Sequence, residues 1–579
     1  MSDPTESETR TDSALLDRAR SWLAGDPDPN TRAELRALID SNDLAELGER
    51  FAGELEFGTA GLRGIVGAGS ARMNLAVVTR VTRAVAEQLL SRVPDARARP
   101  VIVGCDARLD SVRFADAAVR VLRGAGIPVK RFVEPVPTPL VAFAVRAFAA
   151  TAGIVITASH NPPEYNGYKL YWEDGVQVVP PTDHEIAARI AALGPASALP
   201  LGELSEQESI AEEIVARYFA AIRAELPRVT ADRSLCIVYT PLHGVGAKFV
   251  ERLFAEAGYA DFHSVPAQRE PDGHFPTVSF PNPEEPGALD LALALAEEKK
   301  ADLLIANDPD VDRLAIAVPT PSGRWQALTG NPIGLLLAEF ALAHGVAGER
   351  PFVVSSLVSS PMLESIAAAH GARAERVLTG FKWICTAAVG LEQQNLRYAF
   401  GYEEALGYAF GRAVRDKDGI GAALAFAELA AEARAAGKTV LECLHGLYRH
   451  HGLWVSAQHN VVLKGSAGAR RILDAIERVV AAPPSTLADL AVTAVQDFRR
   501  PDPGAPSWRS SALLVELSLG EYGRVCVRPS GTEPKLKLYV DLRVELAAGA
   551  AISVAEEGGR KAALAVAVAL VTALGLDGV

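Results

Sequence analysis

The chain has 579 residues, of which 49% are hydrophobic and 22% charged, with a net charge of −13. This is the composition of a globular protein of about four domains at ~150 residues each. Its acidity argues against general nucleic-acid binding. The first residues, Met1-Ser2-Asp3-Pro4-Thr5-Glu6, carry no basic start and no apolar core, so no secretory leader is read there. The five cysteines, at 105, 236, 385, 443 and 526, show no CxxC or Cys/His spacing, which points to free thiols in the cytoplasm.

In chain order, residues 1–15 are polar and uncapped and are expected to form a disordered tail. Three later segments share one pattern: strand, loop, about three turns of helix, a glycine, then strand. They are Val101–Val133 with Gly124, Cys236–Val265 with Gly258, and Phe352–Leu378 with Gly371. A repeated unit of this kind predicts three α/β domains of one type. Domain boundaries are placed at 16–215, 216–329, 330–460 and 461–579. The stretch Ala192–Glu208, rich in Gly, Pro and Ser, reads as a surface connection. Gly330-Asn331-Pro332 precedes an apolar helix. The apolar run Ala562–Leu576 is shorter than the ~20 residues of a membrane span and is expected to be a packed C-terminal helix.

Four loops carry the chemistry. Thr157–Lys169 reads TASHNPPEYNGYK, placing Ser159, His160 and Lys169 between two strand-like runs. A serine so flanked is arranged to accept and pass on a group. Asp308-Pro309-Asp310-Val311-Asp312-Arg313 sets three carboxylates at alternate positions on a turn expected at a domain surface. Together they would repel unless a hard divalent cation such as Mg2+ joined them. An EF-hand is excluded, since Arg313 stands where its glycine should be and Pro319 where its glutamate should be. Gly401–Tyr408 brings Glu403 and Glu404 between glycines, and carboxylates accept hydrogen bonds from sugar hydroxyls. Arg528-Pro529-Ser530-Gly531-Thr532 combines a guanidinium, two hydroxyls and an open backbone, suited to a phosphate dianion.

In this order the four loops resemble those of the alpha-D-phosphohexomutase superfamily, the phosphoglucomutases and phosphomannomutases. The long-chain phosphoglucomutase/phosphopentomutase-like branch is the nearest in pattern. Supporting segments are Glu56–Gly64 (EFGTAGLRG), Thr240–Gly246 (TPLHGVG), Phe275–Val278 (FPTV), Thr379–Lys382 (TGFK) and Arg415–Gly419 (RDKDG). The resemblance implies an α/β fold of four domains. Three are similar mixed α/β sheet domains, and a smaller α+β C-terminal domain completes the ring around a central cleft.

It also implies a mechanism. Ser159 is the phosphoserine and the phosphoryl carrier, and Asp308, Asp310 and Asp312 hold Mg2+ against its phosphate. Arg63 and Lys169 are the general-base candidates, and His160 positions more than it transfers. Arg313 and Lys417 face substrate. Thr379, Gly380, Lys382, Glu403 and Ala405 face the sugar, and Arg528, Ser530, Gly531 and Thr532 clamp its phosphate.

The expected reaction interconverts a hexose 1-phosphate and a hexose 6-phosphate, glucose first and mannose second. It runs through a sugar 1,6-bisphosphate, which also activates the enzyme. A phosphopentomutase or a bisphosphate synthase is the alternative, and a phosphoserine-dependent sugar phosphatase is the competitor from another class. A serine hydrolase is excluded because no G-x-S-x-G elbow surrounds Ser159. The expected partners are small phosphosugars, with neither nucleic acid nor membrane, and the chain is expected to be a monomer or weak homodimer. Where many relatives have serine in the sugar loop, this chain has Ala405.

Overall fold

The computed structural model describes all residues except 1–3, 57, 59–60, 228, 230–231, 347, 464, 501–502, 530–534, 548 and 577–579. By its internal contacts the chain forms two units. The first comprises Met1–Leu226, Arg233–Leu328 and Gly407–Glu428, and the second Pro227–Asp232, Thr329–Leu406 and Leu429–Val579.

Two sheets of the first unit repeat one plan. In the first, Val101–Cys105 pairs in parallel with Val129–Arg131 on one side and Ala152–Ile156 on the other. Tyr165–Trp172 then returns antiparallel to Ala152–Ile156, and Leu62–Ile65 closes the far edge. In the second, Ile237–Thr240 pairs in parallel with Phe262–Ser264 and Leu303–Ala306, and Ala315–Pro319 returns antiparallel. The central parallel strands are buried along their whole length, as all-apolar runs covered by helices on both faces must be. The serine loop and the aspartate loop occupy the same connection in the two sheets. Each leaves the carboxyl end of the last parallel strand, where open α/β sheets place their ligands.

The second unit carries the third repeat, with Pro351–Ser356 parallel to both Arg373–Val377 and Arg397–Glu403. It also carries a five-stranded C-terminal sheet whose assigned pairings are antiparallel, backed by helices Gly465–Ala481 and Ile552–Ala573. Val525, Val527, Leu538, Val540, Ala563 and Leu570 fill the layer between sheet and helices. The apolar run at the C-terminus is therefore a packed helix. Among the described residues no helix is long and apolar enough to cross a membrane.

One expectation is corrected. Within the tail expected to be disordered over 1–15, a helix begins at Pro4 and runs to Gly25, residues 1–3 lying outside the described residues. Its Leu15 and Ala19 pack with Leu35, Leu47 and Phe51 in a small core of their own. The apolar spacing Leu15, Ala19, Trp22 is helical, and that face outweighs the polar start. The glycines that end the repeats also differ. Gly258 and Gly371 take left-handed backbone (φ +95° and +65°). Gly124 instead stays inside helix Ser111–Gly124, where a side chain would meet the Pro200 carbonyl oxygen at 2.3 Å.

Candidate active site

The serine loop begins where strand Ala152–Ile156 ends. Ser159 itself has φ +53°, a left-handed backbone that costs a non-glycine residue energy and must be held by its surroundings. Its side chain is buried, and Oγ donates to Asp308 Oδ2 at 2.6 Å. Oγ also lies 3.2 Å from His160 Nδ1. The structure thus brings the first two predicted loops together within one unit.

The aspartate loop is more deeply set than its sequence indicates. Asp308, Asp310 and Asp312 are all fully buried, with carboxylate oxygens within 4.8 Å of one another. Lys169 reaches in from the neighbouring sheet, and Nζ donates to Asp310 Oδ2 and Asp312 Oδ2, each at 2.7 Å. Lys417 Nζ lies 3.1 Å from Asp312 Oδ2. Burial alone would push the Lys169 ammonium down, but the two aspartates hold it above its ordinary value. Burial likewise opposes ionisation of Asp312, yet Lys169 and Lys417 keep it below the usual carboxylate range. Among the described residues no lysine pairs with Asp308, and the nearby Arg313 charge only partly offsets its surroundings. Burial first, then the charges of Asp310 and Asp312, push it well above that range.

This donor set fits a hard divalent cation. Among the described residues Oδ1 of Asp310 and Oδ1 of Asp312 are buried without a hydrogen-bond partner, although two more carboxyl groups lie beside each. Asp308, Asp310 and Asp312 would hold the ion next to the Ser159 hydroxyl. Bound there, it would withdraw charge from a phosphoryl group on the serine.

The remaining predicted residues of this unit surround that pair of loops. Arg63 Nη1 donates to Asn161 Oδ1 at 3.0 Å, and its charge is felt by Asp310 and Asp312. The Arg313 backbone N–H donates to Asp308 Oδ1 at 2.9 Å, and its Nη2 lies 3.5 Å from His160 Nε2. Burial, then Arg313 and Arg63, push the His160 imidazole well below its ordinary value. An imidazole held down in this way favours its neutral form, which accepts or donates hydrogen bonds.

Glycine makes the aspartate loop's close packing possible. The TPLHGVG segment passes so near that a side chain on Gly244 would meet Pro309 Cα at 2.3 Å and its carbonyl oxygen at 2.4 Å. Gly244→Ala is therefore expected to displace the Pro309 backbone. It should cost about 1–3 kcal/mol of stability and most of the activity, checked by denaturant unfolding and turnover.

In the second unit the sugar loop divides its two carboxylates. Glu403 Oε1 accepts the Gly380 N–H at 2.6 Å, joining the TGFK and GYEEALG segments. Thr379 Oγ1 is buried beside it with no hydrogen-bond partner among the described residues. Lys382 lies in the first turn of helix Phe381–Glu392, and Ala405 is half-buried. Glu404 turns inward, accepting from Ser356 Oγ at 3.0 Å and Ser359 Oγ at 3.1 Å. Arg528 sits near the end of strand Gly523–Pro529, opposite Lys537. Ser530, Gly531 and Thr532 lie outside the described residues.

Sequence reasoning missed several supports. Thr138 Oγ1 donates to Asp310 Oδ2 at 2.6 Å, and its N–H to the Asp310 carbonyl at 3.0 Å. Asp416 accepts from Tyr171 Oη at 2.6 Å and Gln177 Nε2 at 2.7 Å, with Lys417 Nζ 3.6 Å from its other oxygen. A threonine between prolines in PVPTPL is a faint signal, and the aspartate inside RDKDG a better one.

Family comparisons cover most of the chain. Domain models I, II and III described as phosphoglucomutase/phosphomannomutase alpha/beta/alpha match residues 54–196, 216–323 and 329–450, and the C-terminal domain model matches 514–556. The chain belongs to the phosphoglucomutase/phosphomannomutase family. It is a phosphotransferase of that type, on the long-chain branch of the alpha-D-phosphohexomutases. The phosphoribomutase of Saccharomyces cerevisiae is 35% identical over 582 residues, covering 91% of this chain and 93% of its own. A Haemophilus influenzae protein named probable phosphomannomutase is 39% identical over 447 residues, 76% of this chain and 88% of its own. The crystal structure of the Paramecium phosphoglucomutase parafusin superposes with a TM-score of 0.68 at 18% identity, over 91% of this chain and 97% of that one.

Proposed function

We propose that this chain is a phosphosugar mutase that moves a phosphoryl group between the anomeric and terminal hydroxyls of an aldose phosphate, with Ser159 as carrier. The observation that carries the reading is the buried contact of Ser159 Oγ with Asp308 at 2.6 Å, beside two aspartates bridged by Lys169. Phosphoryl transfer needs positioning and charge neutralisation more than covalent chemistry, and this constellation supplies both. Lys169, Arg63 and Arg313 are placed to spread charge on the transferring group. The serine gives its phosphate to the free hydroxyl, making a sugar bisphosphate, and then recovers the other phosphate. Magnesium is the fitting ion. The low solvent exposure of Ser159 disfavours hydrolysis, and with it the phosphatase reading.

The sugar proposed first is glucose, taken from the 1-phosphate to the 6-phosphate, with mannose phosphate as a slower substrate. A second reading, pentose 1-phosphate to pentose 5-phosphate, is favoured by the S. cerevisiae phosphoribomutase, which matches over nine tenths of both chains. Ala405 supplies no hydroxyl to the sugar loop while Glu403 remains, and fewer polar contacts mean weaker discrimination between sugars. Phosphosugars are the proposed partners, and the five free thiols accord with a reducing, cytoplasmic setting.

The test is a panel of glucose, mannose, ribose and deoxyribose 1-phosphates, primed with catalytic sugar bisphosphate. Glucose 1-phosphate should turn over fastest, with pentose phosphates measurable. Ala405→Ser should shift the preference toward hexoses by no more than about tenfold, the worth of one hydrogen bond of ~1 kcal/mol. A pentose preference in the wild type would establish the second reading. Stoichiometric release of inorganic phosphate would sink both.

A further inference from the structure

Ser159 is held in its left-handed backbone from both sides, and both holds lead to one buried ion pair that no predicted loop contains. On the amide side, the Ser159 N–H donates to Thr157 Oγ1 at 2.8 Å, and that hydroxyl donates to Asp106 Oδ2 at 2.6 Å. On the carbonyl side, Ser159 O accepts from Arg108 Nη2 at 2.8 Å. Arg108 Nε lies 3.3 Å from the same Asp106 Oδ2, which closes the ring.

The guanidinium does more. It also donates to the carbonyls of Asn161 at 2.5 Å, Pro162 at 2.7 Å and Tyr165 at 2.9 Å. Four carbonyls of one short loop thus converge on a single side chain. Of the four, the Pro162 carbonyl also accepts the Tyr165 N–H at 3.1 Å, so the guanidinium reinforces a turn of the loop as well as gathering its carbonyls. Arg108 and Asp106 are each no more than 2% exposed. The aspartate-loop side of the unit seals them. The Phe275 ring stacks on the Arg108 guanidinium at 5.1 Å, and Gly273 passes so close that a side chain there would meet Arg108 Cα at 2.9 Å.

We propose that Arg108, set by Asp106 and Thr157, is the positioning residue that fixes the phosphoryl-carrying serine in its reactive geometry. Its guanidinium is engaged by the loop carbonyls and Asp106, so it acts through the serine's backbone. This inference rests on the reading of Ser159 as carrier. Positional errors of about 1 Å can cost a hundredfold in rate, and the ring is the only covalent-free path that constrains Ser159 at both its amide and its carbonyl among the described residues.

The test uses the full chain and three variants. Arg108→Lys keeps the charge but gathers its donors on one atom, so it cannot span the four carbonyls. Its kcat should fall about a hundredfold, with KM for glucose 1-phosphate changed by less than about threefold. Thr157→Val removes one hydroxyl at constant volume, and its kcat should fall about tenfold. The double variant should be no slower than Arg108→Lys alone, because both changes break one ring. Melting temperatures and the fraction of folded protein are measured alongside. Either single variant within twofold of wild-type kcat, multiplicative losses, a loss carried by KM, or a loss that merely tracks the unfolded fraction overturns the proposal. Ser159→Ala separates the two readings. If it is inactive while Arg108→Lys is fully active, only the positioning role fails; if it is active, the carrier role itself fails.

Discussion

Replacing Ser159 with alanine is expected to abolish mutase turnover, lowering kcat by at least about ten-thousandfold, as loss of a covalent carrier does. The fold should survive, because among the described residues the hydroxyl bonds only to Asp308 and His160, and alanine accepts the same backbone at similar cost. Circular dichroism and thermal unfolding would show stability within about 1 kcal/mol of the parent. Binding of glucose 1-phosphate should persist, since the residues proposed to hold the sugar lie in other loops. Activity near the parent level would remove the phosphoryl-carrier role and with it the mechanism.

The second large effect concerns Asp310. The sequence places its loop at a domain surface, where an alanine would be harmless to the fold. The structure corrects this: Asp310 is fully buried and accepts from both Thr138 and Lys169. Deleting its charge and its volume together would strand part of a buried ion pair at about 3–5 kcal/mol. Asp310→Asn is the cleaner change, since it keeps the volume and removes one carboxylate from the cation set. Its kcat should fall about a thousandfold, the worth of several kcal/mol of lost charge stabilisation. Magnesium affinity, followed calorimetrically, should weaken in parallel. In the parent, a chelator should stop turnover and added Mg2+ should restore it. Unchanged turnover in excess chelator would refute the metal requirement.

The residues that announce the site do so because each loop concentrates its chemistry locally. Three aspartates within five positions, or a serine followed by histidine and two prolines, are visible without any tertiary knowledge. The three repeated strand–helix–strand units are visible for a similar reason, since period and glycine placement are local. What was hidden depends on long-range packing. Thr138 meets Asp310 across 172 positions, and Tyr171 meets Asp416 across 245. Glu403 and Glu404 are indistinguishable as neighbours in sequence, yet one turns to the Gly380 amide and the other to Ser356 and Ser359. Strand geometry sends adjacent side chains to opposite faces, and only the packing of the sheet decides which face is which. The N-terminal helix was hidden because its polar first turns mask the Leu15–Trp22 face that docks on Leu35 and Phe51.

The central claim is that Ser159 carries the phosphoryl group and returns it to sugar. Its most direct test is a pulse and chase on the purified protein. The enzyme is incubated with glucose 1,6-bisphosphate labelled in its phosphates, freed of excess reagent, digested and mapped by mass spectrometry, with a second portion chased by unlabelled glucose 1-phosphate. One phosphate per chain should appear on the peptide bearing Ser159, and the chase should move it onto sugar without release of inorganic phosphate. A label on another residue, or one that leaves only to water, would contradict the account.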